Sequence, residues 1–305
     1  MIPHGRQLVT LGCGAAIAAL LLAACGSGAS APATSRVVNV VAAENLWGNI
    51  TSQIGGSHVS VTSIISNPSA DPHLYTSSAQ NAAAVGAARV VVVNGVGYDD
   101  FMSRLLAATS GPHRVVVTVA HVLGVSGSDP NPHLWYDVPR MPLVAKAIER
   151  QLAAADPADA NTFRSRLARF DRSLEPVLAT IATIRADYPG APVAYTERVP
   201  GYLLAEAGLR VVTPVGFATA IEQGTDPSPA DTEAMYQLFT QHRTRVLLYN
   251  SQTVSSVTMH VRSLATEAGI PIVAVSESLP PRFATYQAWQ LSQGQALLAA
   301  LRSGH

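Results

Sequence analysis

Cysteine is nearly absent from this 305-residue chain: the two present are Cys13 and Cys25. No residue after 25 can join a disulfide or give a thiolate to a metal, so nitrogen and oxygen donors are left for any metal chemistry. An excess of one charge is also missing, with 20 Lys plus Arg against 20 Asp plus Glu. The basic footprint of a nucleic-acid binder is therefore lacking, and no nucleic-acid partner is expected. No H-E-x-x-H helix, G-x-S-x-G elbow or Walker loop occurs. "NGVGYDD" (94–100) offers a G-x-G after a strand but no third glycine, a weak nucleotide signal. What the chain does have is apolar residues, 48% of it. That is enough for a sizeable core in two ordinary domains or one large one.

The first seven residues, "MIPHGRQ", carry one arginine and no acid, and an uncharged run of 17 residues follows. It ends in Leu22-Ala23-Ala24-Cys25, before Gly/Ser/Ala/Pro/Thr-rich sequence. This is the plan of a secretory signal over 1–24; the run is short and alanine-rich for a membrane-spanning anchor. "LAAC" resembles a bacterial lipobox, which implies cleavage before Cys25 and a diacylglycerol on its thiol. Residues 25–36 would then be a lipidated, flexible linker.

Beyond it, short β-branched runs recur at 36–43, 59–65, 88–95 and 113–120, and again at 191–197, 210–215, 244–250 and 270–277. Helical stretches separate them, with Gly208 and Gly269 where helix C-caps are expected. Strands alternating with helices predict parallel sheets covered on both faces. Between the halves, Phe163, Leu167, Phe170, Leu174, Val177, Ile181, Ile184 and Tyr188 follow a spacing of 4 and 3 in alternation. This is the apolar stripe of a long helix, N-capped by Asp156, kinked near Pro176, and about 46 Å long. The expected fold is α/β: two similar lobes, each a mostly parallel four-stranded sheet with flanking helices, joined by one long backbone helix. The lobes are expected over 37–155 and 190–305, with the linking helix over 156–189.

A ligand between such lobes would sit at the carboxyl ends of the strands. Two phrases there share one pattern: Asp71-Pro72-His73-Leu74-Tyr75 and Asn131-Pro132-His133-Leu134-Trp135. Proline stiffens the loop that presents each histidine, which suits a metal ligand held in one orientation; a single such phrase would more readily be an exposed turn. Partners must come from the second half. Glu197 and Glu277 fall at the ends of apolar strands, where a charge has no core role, although each could instead be an exposed loop residue. Glu44 ends the first strand and could support the ligands or cap a helix. Glu222 and Asp226 lie in the segment "FATAIEQGTDPSPAD", read as a loop, and His58, His113, His121, His242 and His260 lack the proline frame.

On these residues the chain resembles the cluster A-I substrate-binding proteins of metal ABC transporters, from about residue 37 to the C-terminus. "DPHLYTSSAQ" is similar to the first family signature and "NPHLWYDV" to the second. "YTERVPGYLLAEAGL" matches the third, with Glu197 and Tyr202, and "PIVAVSESLPPRF" resembles the fourth. The resemblance implies a monomeric, extracytoplasmic receptor for Zn²⁺, Mn²⁺ or Fe²⁺, tethered to the bacterial membrane through Cys25. It would serve the permease and ATPase of an importer. It implies His73, His133, Glu197 and Glu277 as ligands, with Glu44, Tyr75, Trp135 and Tyr202 around them. The family's fourth ligand is often aspartate, where Glu277 stands here. The His/Asp-rich loop of many zinc members is missing, and Glu197 in place of a third histidine resembles the manganese type.

Two imidazoles and two carboxylates form a neutral site with a divalent ion. Zinc would take four donors tetrahedrally, manganese the same residues with bidentate carboxylates, while affinity for most such sites rises toward zinc. No chemical step is expected, hence no enzyme. Two alternatives stay open. One is a receptor of the same shape for an organic ligand, a siderophore or corrinoid, using Tyr75, Trp135 and Tyr202; the other is a zinc hydrolase.

Overall fold

The structure is a computed structural model that describes residues 37–67 and 75–303. The signal segment, Cys25 and His73 lie outside the described residues.

The first half runs β1 (Val38–Glu44), α1 (Asn45–Gly55), β2 (Val59–Ile65), α2 (Ala79–Ala87), β3 (Val90–Val93), α3 (Asp100–Ala108), β4 (Val115–Thr118), α4 (Val119–Leu123) and α5 (Met141–Ala155). Its strands form one parallel sheet in the order β2-β1-β3-β4. Then come α6 (Ala160–Ser173) and α7 (Glu175–Asp187). The second half runs β5 (Pro192–Tyr195), α8 (Gly201–Glu206), β6 (Arg210–Val211), α9 (Val215–Glu222), α10 (Pro229–Thr240), β7 (Leu247–Asn250), α11 (Ser256–Glu267), β8 (Ile272–Val275) and α12 (Tyr286–Ser303). Its parallel sheet repeats the order, β6-β5-β7-β8.

The central strands are apolar on both faces because helices cover both. All four valines of β3 and all four residues of β7 are buried, as a parallel sheet requires. One apolar cluster runs from β1 and β3 through α5, α6 and α7 to β5, β7, β8 and α12. A smaller cluster covers the outer face of each sheet. Local signals agree with this packing. Ser78 and Ser255 each close a capping box at the start of α2 and α11, and Gly208 and Gly269 take φ of +67° and +66° just past helix ends.

The linking helix runs as two segments, α6 and α7, with Leu174 between them still in right-handed helical conformation. Pro176 sits in the first turn of α7, where its missing N–H costs no helical hydrogen bond. Two local expectations fail. Asp156 makes no side-chain cap; a tight turn over Pro157–Asp159 intervenes before α6. The segment read as a loop before Asp226 contains α9, with Phe217, Ala218, Ile221 and Glu222 buried.

The halves are pinned along one side. Asn45 Nδ2 donates to the Leu279 carbonyl at 2.9 Å while Leu279 N donates to Asn45 Oδ1 at 3.0 Å. Asn49 Nδ2 donates to the Ala284 carbonyl at 3.0 Å, and the Tyr136 hydroxyl to the Ser276 carbonyl at 2.9 Å. The strand order reverses between β1 and β3 in one sheet and between β5 and β7 in the other. These reversals open a crevice at the carboxyl ends of the strands, and the buried polar residues collect there.

Candidate metal centre

Glu44 ends β1, Asn94 follows β3, Glu197 lies two residues past β5, Asn250 ends β7 and Glu277 lies two residues past β8. All five are buried. Polar groups at the ends of five apolar strands have no packing role, and burying them costs free energy unless they are paired or neutralised.

His133 is held in one tautomer by the residue two before it. Asn131 Nδ2 donates to the Arg198 carbonyl at 2.8 Å, which turns Asn131 Oδ1 toward the histidine. That oxygen accepts from His133 N at 3.1 Å and from His133 Nδ1 at 2.7 Å. With Nδ1 as donor, Nε2 carries the lone pair. Nε2 lies 3.5 Å from Glu277 Oε2, and both side chains are fully buried. The Trp135 ring stands edge-on to His133 at 5.4 Å between centroids, and Asn94 Nδ2 donates to the Pro132 carbonyl at 2.9 Å. The Asn-Pro-His phrase thus works as a unit: its asparagine orients the ring, its proline carbonyl anchors the loop, and its aromatic walls the site.

Glu197 and Glu277 are joined by Asn250, whose Nδ2 donates to Glu197 Oε1 at 3.1 Å and to Glu277 Oε1 at 2.8 Å. One amide thereby ties together two carboxylates that lie past the ends of β5 and β8. The Tyr98 hydroxyl donates to Glu277 Oε2 at 2.9 Å from the opposite half. Tyr98 is presented by the G-x-G turn, where Gly95, Val96 and Gly97 take φ of +84°, +50° and +83°. Positive φ is costly for a β-branched valine. The turn is held by Asp99, whose Oδ2 accepts from Asn94 N at 2.6 Å and whose Oδ1 accepts from Gly95 N at 2.8 Å. The phrase that looked like half a nucleotide loop is the support of Tyr98.

Of the residues expected around the ligands, Trp135 and Tyr202 touch this network. Trp135 packs on His133. The Tyr202 hydroxyl donates to the Asn131 carbonyl at 2.9 Å, so the glutamate-to-tyrosine phrase braces the histidine loop of the other half. Glu44 has neither oxygen hydrogen-bonded among the described residues; burial first, then the Asp99 charge, hold its carboxyl well above the usual range. Tyr75 is placed differently. Its hydroxyl donates to Asn81 Oδ1 at 3.1 Å and its ring packs on Phe101.

At the crevice mouth Arg198 bridges the halves. It pairs with Glu222 of α9, Nε to Oε2 at 2.8 Å, and with Asp129 of the histidine loop, Nη2 to Oδ1 at 2.9 Å. Asn131, Tyr98 and Asn250 escaped sequence reasoning. The available signals were the residue before Pro132, the glycine-flanked turn, and an asparagine ending a strand beside two glutamate-ending ones.

Fold and site together define a two-lobed α/β protein with a polar crevice between paired parallel sheets. The chain belongs to the family described as "ZnuA: Zinc-uptake complex component A periplasmic", whose match spans residues 40–300. It is similar to "Manganese-binding lipoprotein MntA" of Bacillus subtilis, 27% identical over 52% of this chain and 53% of the relative. It is also similar to "Iron ABC transporter substrate-binding lipoprotein MtsA" of Streptococcus pyogenes, 26% identical over 53% of this chain and 56% of the relative. The chain spans about half the length of the curated relatives it matches. Among solved structures, the periplasmic zinc-binding protein TroA of Treponema pallidum superposes with a TM-score of 0.75 at 21% identity. That match covers 87% of this chain and 99% of that one. This last likeness establishes the fold.

Proposed function

We propose that this chain captures a divalent transition metal, zinc or manganese with ferrous iron as a third candidate, between its two lobes. It then delivers the ion to the permease of an ABC importer. His73 and His133 from the first lobe and Glu197 and Glu277 from the second are the donors. The observation that carries the reading is the buried meeting of His133 Nε2 and Glu277 Oε2 across the crevice, 3.5 Å apart. Two donors of one ion at about 2.0–2.2 Å lie at a similar separation. Asn131 sets the donor tautomer of His133, and Asn250 keeps one oxygen of each glutamate occupied. Two neutral imidazoles and two carboxylates balance a divalent charge, which makes burial of the ion tolerable.

The relatives carry manganese, zinc and iron in their names, and the donor set fits each of them. The family description speaks of uptake, in keeping with binding and release rather than catalysis. Cleavage before Cys25 and a lipid on its thiol would tether the protein outside the cytoplasmic membrane as a monomer. The lobes would span 37–155 and 190–305, with α6 and α7 as the rigid link between them. Among the described residues no helix is long and apolar enough to cross a membrane.

The test is metal analysis of protein purified without chelator, followed by competition titration of Zn²⁺ against Mn²⁺. Sub-micromolar binding that is lost in Glu277→Gln and His73→Ala supports the reading. Micromolar or weaker affinity for every divalent ion tried, or hydrolase activity that His73→Ala abolishes, would overturn it.

A further inference from the structure

A second cluster of ligand-type side chains lies at the other end of the first lobe. His58 occupies the turn Gly56–His58 between α1 and β2, at the amino end of its strand. Seven residues of β2 separate it from the carboxyl edge, so it sits roughly 20 Å from the crevice. Asp156 and Asp159 flank the Pro157 turn that begins the link to α6. One donor atom from each of the three residues falls within 4.8 Å of the others. His58 Nδ1 is 2.9 Å from Asp159 Oδ2, and the edge of the His58 ring meets Phe163 at 5.9 Å between centroids, fixing its plane.

Asp156 marks this as more than a surface ion pair. It is only 6% exposed, and its Oδ2 is met by no hydrogen-bond donor among the described residues. Its side chain does not cap the following helix. A buried carboxylate oxygen facing a second carboxylate and an imidazole is costly unless a proton or a cation lies between them. Two donors bound to zinc at about 2.0–2.1 Å stand about 3.4 Å apart, a value inside the spread of this cluster. His58 and Asp159 are partly exposed, at 22% and 18% of their side chains, so water can complete the coordination.

We propose that His58 Nδ1, Asp156 and Asp159 form a second divalent-cation site, independent of the interlobe crevice, where α6 starts. One imidazole nitrogen and two carboxylate oxygens favour the zinc end of the divalent series over calcium or magnesium. With three protein donors and an open face, binding is weaker than at the crevice. The ion would staple the α1–β2 turn to the base of the linking helix.

The probe is Zn²⁺ itself, on the full chain carrying His133→Ala and Glu277→Gln to silence the crevice. The expected result is about one remaining equivalent by equilibrium dialysis, removed by adding Asp156→Asn. Carbethoxylation of His58, read by peptide mass spectrometry, should fall roughly tenfold at a free Zn²⁺ ten times the dissociation constant. Should the crevice variant not fold, the same His58 protection is read on the unmodified chain. Asp156→Asn alone should abolish the protection and leave the tight crevice binding unchanged. His58 reactivity indifferent to Zn²⁺ up to about 1 mM would overturn the proposal and leave a proton-sharing carboxyl pair. Failure at the crevice shows separately, as tight binding unaffected by His133→Ala and Glu277→Gln.

Discussion

Replacing Asn131 tests the site where sequence, geometry and chemistry meet. Asn131 touches no ion in this account. It accepts from His133 N and Nδ1 at 3.1 and 2.7 Å and donates to the Arg198 carbonyl at 2.8 Å. Asn131→Ala deletes all three bonds. The ring is then free to turn and to place its proton on Nε2, where the lone pair is needed. Loss of such an orienting partner costs about 10- to 100-fold in metal affinity, or about 1.4–2.7 kcal/mol. The upper end is expected, because the bond to Arg198 also ties the histidine loop to the opposite lobe. Asn131→Asp keeps an acceptor for Nδ1 and makes the ligand more basic, while losing the donor to Arg198, so its loss should be the smaller. The assay is competition for Zn²⁺ against a chelator of known affinity. Asn131→Ala binding within twofold of the unmodified chain, or Asn131→Asp weaker than Asn131→Ala, would refute the tautomer argument.

Other outcomes follow from the same geometry. A Cβ on Gly201 would stand 2.7 Å from Asn131 Nδ2; Gly201→Ala should therefore weaken metal binding through Asn131, and the same competition titration reads it. Val96 at φ +50° carries about 1–2 kcal/mol of left-handed strain. Val96→Gly should relieve part of it, raising the denaturant midpoint with no loss of metal affinity. The raised Glu44 carboxyl means that the folded chain keeps a proton that the unfolded chain releases near the ordinary value of 4.5. That contribution is full below the unfolded value and is lost as pH rises through the folded one. In the metal-free protein Glu44→Gln should therefore lose less unfolding free energy than the unmodified chain between pH 4.5 and 8, by denaturant titration at each pH.

Much of the fold was legible because its signals are local. Among the described residues, seven of the eight strands fall within a β-branched run and β1 overruns its own by one residue, to Glu44, since strands buried on both faces are written in valine and isoleucine. β6 is shorter than its run because Thr213 interrupts the ladder. Its hydroxyl accepts from Tyr195 N at 2.8 Å and donates to the Tyr195 carbonyl at 3.0 Å, and Pro214 next to it has no N–H to give. Helix α9 is hard to read because it has only eight residues, with Pro214 before it and the turn-like Gln223-Gly224-Thr225-Asp226-Pro227 after it.

At the site, the proline-framed His133 and the strand-end glutamates stand out in a sequence. Asn250 does not, because its role is to sit between two carboxylates that meet only in three dimensions. The tie between Asn131 and Arg198, 67 residues apart, was equally invisible. Asp156 was misread for the opposite reason: Asp-Pro before a helix is a sound local capping signal, but here the side chain turns to His58 and Asp159.

The central claim is that one ion is gripped from both lobes. Its most direct test is the Zn²⁺ affinity of Glu277→Gln beside that of His133→Ala, with circular dichroism confirming that both variants fold. The account predicts that each single change abolishes sub-micromolar binding, because the donors come from opposite sides of one crevice. Tight binding that survives Glu277→Gln but not His133→Ala would contradict it, leaving a one-lobed site.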